Sequence, residues 1–171
     1  SSLTAADDES LRFSASQVGL IDALLAGEQI VELDEGFQHV RDRLQNFAGV
    51  DTNFEPVGFH GELRPYQREG VGWLKFLQEF RFGGCLADDM GLGKTIQLLA
   101  LLQERKRQRD KHLPSIVVVP KSLLFNWVQE IQRFTPDLTH IEYTGLERAT
   151  MRETLAIHDI ILTTYGTLRG D

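Results

Sequence analysis

A single cysteine, Cys85, stands in the 171 residues, so no internal disulfide can form and a reducing cytosol is the expected setting. A cytoplasmic location is the expectation, with a bacterial nucleoid or a nucleus left open. No Cys/His cluster suggests a metal site. No apolar run approaches the roughly 18 residues that cross a bilayer, so no membrane partner is expected. Residues 1–9 are acidic and lack the basic and apolar regions of a signal peptide. A basic excess is missing too: 18 Lys and Arg against 25 Asp and Glu give a net charge of -7. That excludes a uniformly basic surface but not a local groove for a polyanion. There is no internal repeat and no low-complexity tract. What is present is ordinary, 42% apolar and 25% charged, enough for one domain or a small domain with a helical attachment.

Periodicity divides the chain. A helix is predicted from Ser14, with Val18, Ile21, Leu24 and Leu25 on one face and Gly27 as its stop. A second is predicted over 35–47, with Phe37, Val40, Leu44 and Phe47 on a shared stripe. Residues 49–61 are rich in Gly, Asn, Asp and Pro and read as a linker. Residues 1–58 are therefore taken as a helical accessory segment with its linker, and 59–171 as a second domain. There Pro65 suits the first turn of a helix running to about Phe80. Apolar runs predict strands over 84–87, 115–119, 139–143 and 160–163, the second and last of them buried. Helices are predicted over 93–107, 121–134 and 147–156. Strands alternating with helices imply an α/β fold with a parallel sheet and right-handed crossovers.

One segment carries chemistry on its face. Asp88-Asp89-Met90-Gly91-Leu92-Gly93-Lys94-Thr95 lies between a strand candidate and a helix start. Unpaired N–H groups and the dipole at a helix N-terminus favour an anion. Glycines let the backbone approach phosphate oxygens, a lysine reaches the outer phosphates, and a hydroxyl helps hold Mg²⁺. Gly91, Gly93, Lys94 and Thr95 meet these needs in order. The generic pattern begins with Gly five residues before Gly93, where this chain has Asp88. The bland alternative is a Gly-rich turn that caps a helix.

Residues 86–97, Leu-Ala-Asp-Asp-Met-Gly-Leu-Gly-Lys-Thr-Ile-Gln, resemble the first helicase motif of the Swi/Snf family of DNA-dependent ATPases, which usually has an acidic residue at the place of Asp88. Residues 63–74 resemble that family's glutamine motif. Residues 117–127 resemble its next motif, along the DNA track, and 161–165 a further one whose threonines contact the DNA backbone. The resemblance implies part of a RecA-like lobe and binding of ATP with Mg²⁺. It places nucleotide contacts at Arg64, Gln67, Asp89, Met90, Gly91, Leu92, Gly93, Lys94, Thr95 and Ile96. Gln67 would read the adenine edge, Lys94 and Thr95 would act in catalysis, and Thr95 would ligate magnesium. Duplex DNA would be met by Pro120, Lys121, Ser122, Thr163, Thr164 and Tyr165. On the residues alone, Gln67 could be an exposed helical glutamine, 120–122 a strand exit and 163–165 ordinary strand residues. The run from Arg105 to Lys111 reads either as a DNA contact or as cations on a helix C-terminus.

The family's acidic motif and its second-lobe arginine are expected after 163–165, and neither occurs within the 171 residues. A piece of a two-lobe motor is therefore expected, one that binds nucleotide with little turnover and self-associates through an unpaired sheet edge. Two other readings stay open. One is a nucleotide-binding switch taking ATP or GTP. The other is an interaction domain whose N-terminal helices dock a protein partner.

Overall fold

The computed structural model describes residues 35, 38, 41, 42, 44, 46, 49–53, 56–108 and 113–170. The helix expected from Ser14 lies outside them. Of the helix expected over 35–47, Glu35, Gln38, Arg41, Asp42 and Leu44 are described and helical. The described residues fall into two compact units: those up to Asp51 with Gly72–Cys85, and those of Thr52–Val71 with the ones from Leu86 onward. Helix α1, Pro65–Glu79, contributes its first half to the second unit and the rest to the first.

In the first unit, α1 ends in a Schellman turn. Arg81 adopts a φ of 56°, the Phe82 N–H reaches the Leu77 carbonyl at 2.8 Å, and the Arg81 N–H reaches that of Gln78 at 3.2 Å. Glycine usually occupies this left-handed position. Here the cost of Arg81 is offset by the apolar contact that accompanies such turns, because Phe82 packs edge-on against Phe76 and stacks on Phe80. Gly83 and Gly84 follow, and a side chain at Gly84 would meet Leu77 and Trp73, which would have to shift.

The second unit holds a three-stranded parallel sheet in the order β1-β3-β2, from β1 (Ser115–Val118), β2 (His140–Glu142) and β3 (Ile160–Thr163). Ser115 and His140 both pair with Ile160, so all three strands start level. β3 is buried along its whole length because strands flank it and helices cover it. Of β1 only Val117 is buried, with Val119 buried just beyond it, while Ile116 is 60% exposed. The expectation of a fully buried run over 115–119 is thus corrected: β1 is an edge among the described strands, with one face covered.

α2 (Lys94–Gln108) and α3 (Leu124–Phe134) cover the sheet. Leu99 and Leu102 of α2 meet Leu124 and Ile131 of α3 over Val117, Ile160 and Leu162, each side chain contributing about 1.5–3 kcal/mol of burial. Trp127 and Val128 pack partly buried against this core, as their spacing implies. Thr135, wholly buried, ends α3 by returning its N–H and hydroxyl to the Ile131 carbonyl.

At the starts of the strands, Asp159 gathers three chain segments. Its carboxylate accepts from Lys106 of α2 at 3.0 Å and from the Thr139 N–H and hydroxyl at 2.8 and 2.9 Å. Burial pushes the Asp159 carboxyl up, but these hydrogen bonds and the Lys106 charge outweigh it and hold it below the usual range. Lys106 also donates to the Asp137 carbonyl, and Arg105 to the Ser115 hydroxyl. The cations at the end of α2 thus brace the fold at the strand starts.

Other expectations change in detail. Residues 84–87 form no strand. A strand exists only through a ladder, and among the described residues nothing pairs with this largely exposed segment. Residues 121–134 open with a 3-10 turn, Lys121–Leu123, because the Leu123 N–H bonds back to the Pro120 carbonyl at 2.9 Å. Residues 147–156 split into α4 (Arg148–Met151) and a 3-10 segment, Arg152–Ile157. Here the Thr150 and Thr154 hydroxyls bond to carbonyls three residues back. α5 (Tyr165–Gly170) follows β3 and was not anticipated. The supposed linker is fastened at 56–60: Gln103 donates to the Val57 carbonyl, Phe59 stacks on Phe134, and the His60 N–H meets the Phe134 carbonyl. No helix among the described residues is long and apolar enough to cross a membrane.

Candidate functional site

The loop before α2 has the backbone that its sequence demands. Gly91 and Gly93 take φ values of 88° and 83°, where a side chain is strained. Gly91 is open to solvent, with nothing within 4 Å of an added Cβ. Gly93 is crowded: an added Cβ would lie 2.5 Å from Gln67 Nε2 and 2.8 Å from Ile96 Cγ2. Lys94 is the first residue of α2, and its ammonium donates to the carbonyls of Asp88 at 2.6 Å and Asp89 at 3.0 Å. The lysine charge is thereby laid against the loop. Thr95 and Ile96 follow in the first turn, both half-buried, while Met90 is 94% exposed.

Gln67 belongs to this site and is not an exposed helical glutamine. It is buried, and it sits three residues into α1, where its Oε1 accepts from the N–H of Arg64 at 2.9 Å. That contact is the returning half of a capping box. Its Nε2 donates to the Leu92 carbonyl at 2.9 Å, beside the Tyr66 hydroxyl donating to the same oxygen at 3.1 Å. Arg64 itself is exposed and meets the site through its backbone.

The sequence reading gave no role to Gln97. It is fully buried, and its Nε2 donates to the Asp88 carboxylate at 2.9 Å. Its Oε1 has no hydrogen-bond partner among the described residues. An orphaned buried acceptor of this kind costs about 1–3 kcal/mol. Asp88 therefore replaces the usual glycine with a side chain that α2 holds from below.

The second set of candidates lies at the opposite end of the sheet from Asp159. Pro120, Lys121 and Ser122 leave the end of β1, Thr164 and Tyr165 leave the end of β3, and the register places Val118 beside Thr163. Lys121 and Ser122 are exposed, as is Tyr165 at 68%. Thr163 does not belong with them. It is 2% exposed and its hydroxyl is spent on the Tyr143 carbonyl at 2.8 Å, so it braces the sheet and offers no surface to a phosphate. Thr164 caps α5, its hydroxyl accepting from the Thr167 N–H at 3.3 Å. Arg105 and Lys106 of the 105–111 run are engaged at the strand starts, away from these residues.

The pattern of the SNF2-related domain matches residues 66–171. The chain belongs to that family. Among its relatives, the TATA-binding protein-associated factor mot1 of Aspergillus fumigatus is 39% identical over 159 aligned positions, covering 81% of this chain and 8% of its own length. The human TATA-binding protein-associated factor 172 is 32% identical, covering 94% of this chain and 10% of its own length. Among solved structures, the Sulfolobus solfataricus SWI2/SNF2 ATPase core in complex with dsDNA is 42% identical with a TM-score of 0.63, over 69% of this chain and 24% of that one. The core domain of the same organism gives 40% and 0.65, over 72% and 25%. The parallel sheet and its flanking helices are thus part of the RecA-like fold of an SNF2-related domain. The chain spans about a tenth of the curated relatives' length and about a quarter of the solved cores.

Proposed function

We propose that these residues form the ATP-binding part of a Swi/Snf-type translocase, a protein that couples ATP hydrolysis to movement on duplex DNA or to remodelling of proteins bound there. The observation that carries this reading is the loop: two glycines at positive φ, with the Lys94 ammonium laid against the curled backbone at the start of α2. The loop amides and Lys94 hold the phosphates. Asp89, Met90, Leu92 and Ile96 shape the site, and the Thr95 hydroxyl is the magnesium ligand. Magnesium, when bound, offsets charge on the outer phosphate oxygens. Gln67 reads the adenine edge. Its Oε1 retains a lone pair, and its second amide hydrogen makes only a 3.4 Å contact with Tyr66. Lys121, Ser122, Tyr165 and the backbone at Pro120 and Thr164 follow the DNA strand, at the strand ends where open α/β sheets place ligands. The domain assignment, with 1–58 an accessory segment and 59–171 the partial lobe, is part of this proposal, as is a cytoplasmic or nucleoid setting.

The reading predicts binding of Mg-ATP in preference to Mg-GTP, with the preference erased in Gln67→Ala. Equal affinity for both in the unaltered chain would favour a general nucleotide switch instead. Turnover by these residues alone is not expected, since the acidic pair and the second-lobe arginine are not among them. Steady DNA-stimulated hydrolysis that Lys94→Ala abolishes would overturn that part.

A further inference from the structure

We infer that Gln97 is a positioning residue for the phosphate loop, acting through Asp88. The inference rests on the nucleotide reading above and names a residue that reading does not use. Three observations carry it. First, Gln97 is fully buried yet satisfies only one side of its amide, with Nε2 on Asp88 Oδ2 at 2.9 Å and Oε1 without a partner. An amide kept in that state at a packed site is held for the bond it makes, since an apolar residue of similar size would leave no orphan. The carboxylate fixes the amide's orientation, because only the nitrogen can donate to it. Second, Gly70 of α1 faces the same amide so closely that any Cβ there would collide with Gln97 Oε1. The amide thus lies between α1 and the loop, with glycine at position 70 leaving room for it. Third, the loop is gripped at both ends by amide side chains. Gln67, one turn before Gly70 on α1, holds the Leu92 carbonyl, and Gln97 holds Asp88.

The consequence follows from what Asp88 carries. Its carbonyl is the closer of the two that receive the Lys94 ammonium. Holding the Asp88 side chain restrains the backbone of that residue, and with it the place of the lysine charge. In the generic loop a glycine stands here and a backbone conformation does this work. In this chain a side-chain pair does it, across nine residues of sequence.

The test exchanges donor and acceptor. Gln97→Leu removes the bond, Gln97→Glu sets two carboxylates face to face, and Asp88→Asn with Gln97→Glu restores it with the polarity reversed. Two readouts are taken on the intact chain: hydrogen exchange of the Leu92 and Lys94 amides without nucleotide, and calorimetric affinity for Mg-ATP. Exchange of the Ile161 and Leu162 amides in β3 verifies folding in each variant. We expect both single variants to speed loop exchange at least tenfold, with β3 unchanged, and to weaken Mg-ATP at least tenfold. The double exchange should return both to within about threefold of the unaltered chain. Unchanged loop exchange in Gln97→Leu would overturn the inference, as would faster exchange with unchanged Mg-ATP affinity. Loss of β3 protection in the single variants that the double exchange fails to restore would reduce Gln97 to a core residue and also overturn it. If the unaltered chain binds no Mg-ATP, the nucleotide reading fails, and the exchange readout still decides separately whether Gln97 sets the loop.

Discussion

Gly93 shows how narrowly single residues define the site. Its φ of 83° and the approach of Gln67 Nε2 act together, so alanine there meets both backbone strain and a collision. Gly93→Ala is expected to weaken Mg-ATP binding at least tenfold with a smaller loss of stability, whereas Gly91→Ala, in open space, meets the strain alone. Titration of the two variants side by side checks the order, and equal effects would contradict it. The tight turn at Gly91 and Gly93 was legible in the sequence because the loop's requirements fall within eight consecutive residues. Gln97 was not, because its partner lies nine residues back and Gly70 is on another helix. Thr163 was misread for a similar reason: a threonine ending a buried strand looks the same in sequence whether its hydroxyl faces solvent or, as here, the Tyr143 carbonyl.

At the scale of elements, β3 was read correctly to the residue, since four consecutive apolar or β-branched residues between strands have no other place to go. Leu162→Ala in its centre should cost about 2–5 kcal/mol by denaturant unfolding. The strand expected over 84–87 has the same local appearance but no neighbour to pair with among the described residues, and apolar character alone cannot supply a ladder. The Asp159 brace gives a pH-dependent expectation. Its carboxyl is held low in the folded chain, so its contribution is complete above the unfolded value, about 3.9, and is lost as pH falls through the lower folded value. Asp159→Asn should cost about 1–2 kcal/mol near neutrality, a modest figure because Lys106 is 37% exposed. The difference in melting temperature between the two proteins should shrink as pH is lowered past about 4. A difference that grows on acidification would contradict the brace.

For the whole molecule, the net charge of -7 means that the proposed DNA contact would fall to local groups at the strand ends. If the proposed function holds, Lys121→Ala in a two-lobe protein that carries these residues should weaken binding to duplexes of any sequence alike and lower the salt dependence by about one counterion. A loss confined to one sequence would contradict a backbone contact. The outer edge of β1 has no ladder partner among the described residues, and Ile116 is exposed beside it. The 171 residues alone should therefore self-associate with rising concentration, and Ile116→Lys should suppress this in light scattering. A monomer at every concentration would contradict it. Family and fold were visible in four motifs from Leu63 to Tyr165, whereas the α1 Schellman turn and the Asp159 brace depend on contacts that no local pattern encodes. The central claim, a working ATP site at the start of α2, is tested most directly by calorimetric titration with Mg-ATP of the unaltered chain and of Lys94→Ala. Saturable binding to the first, reduced at least tenfold in the second, is the predicted result; equal binding by both proteins, or none by either, would contradict it.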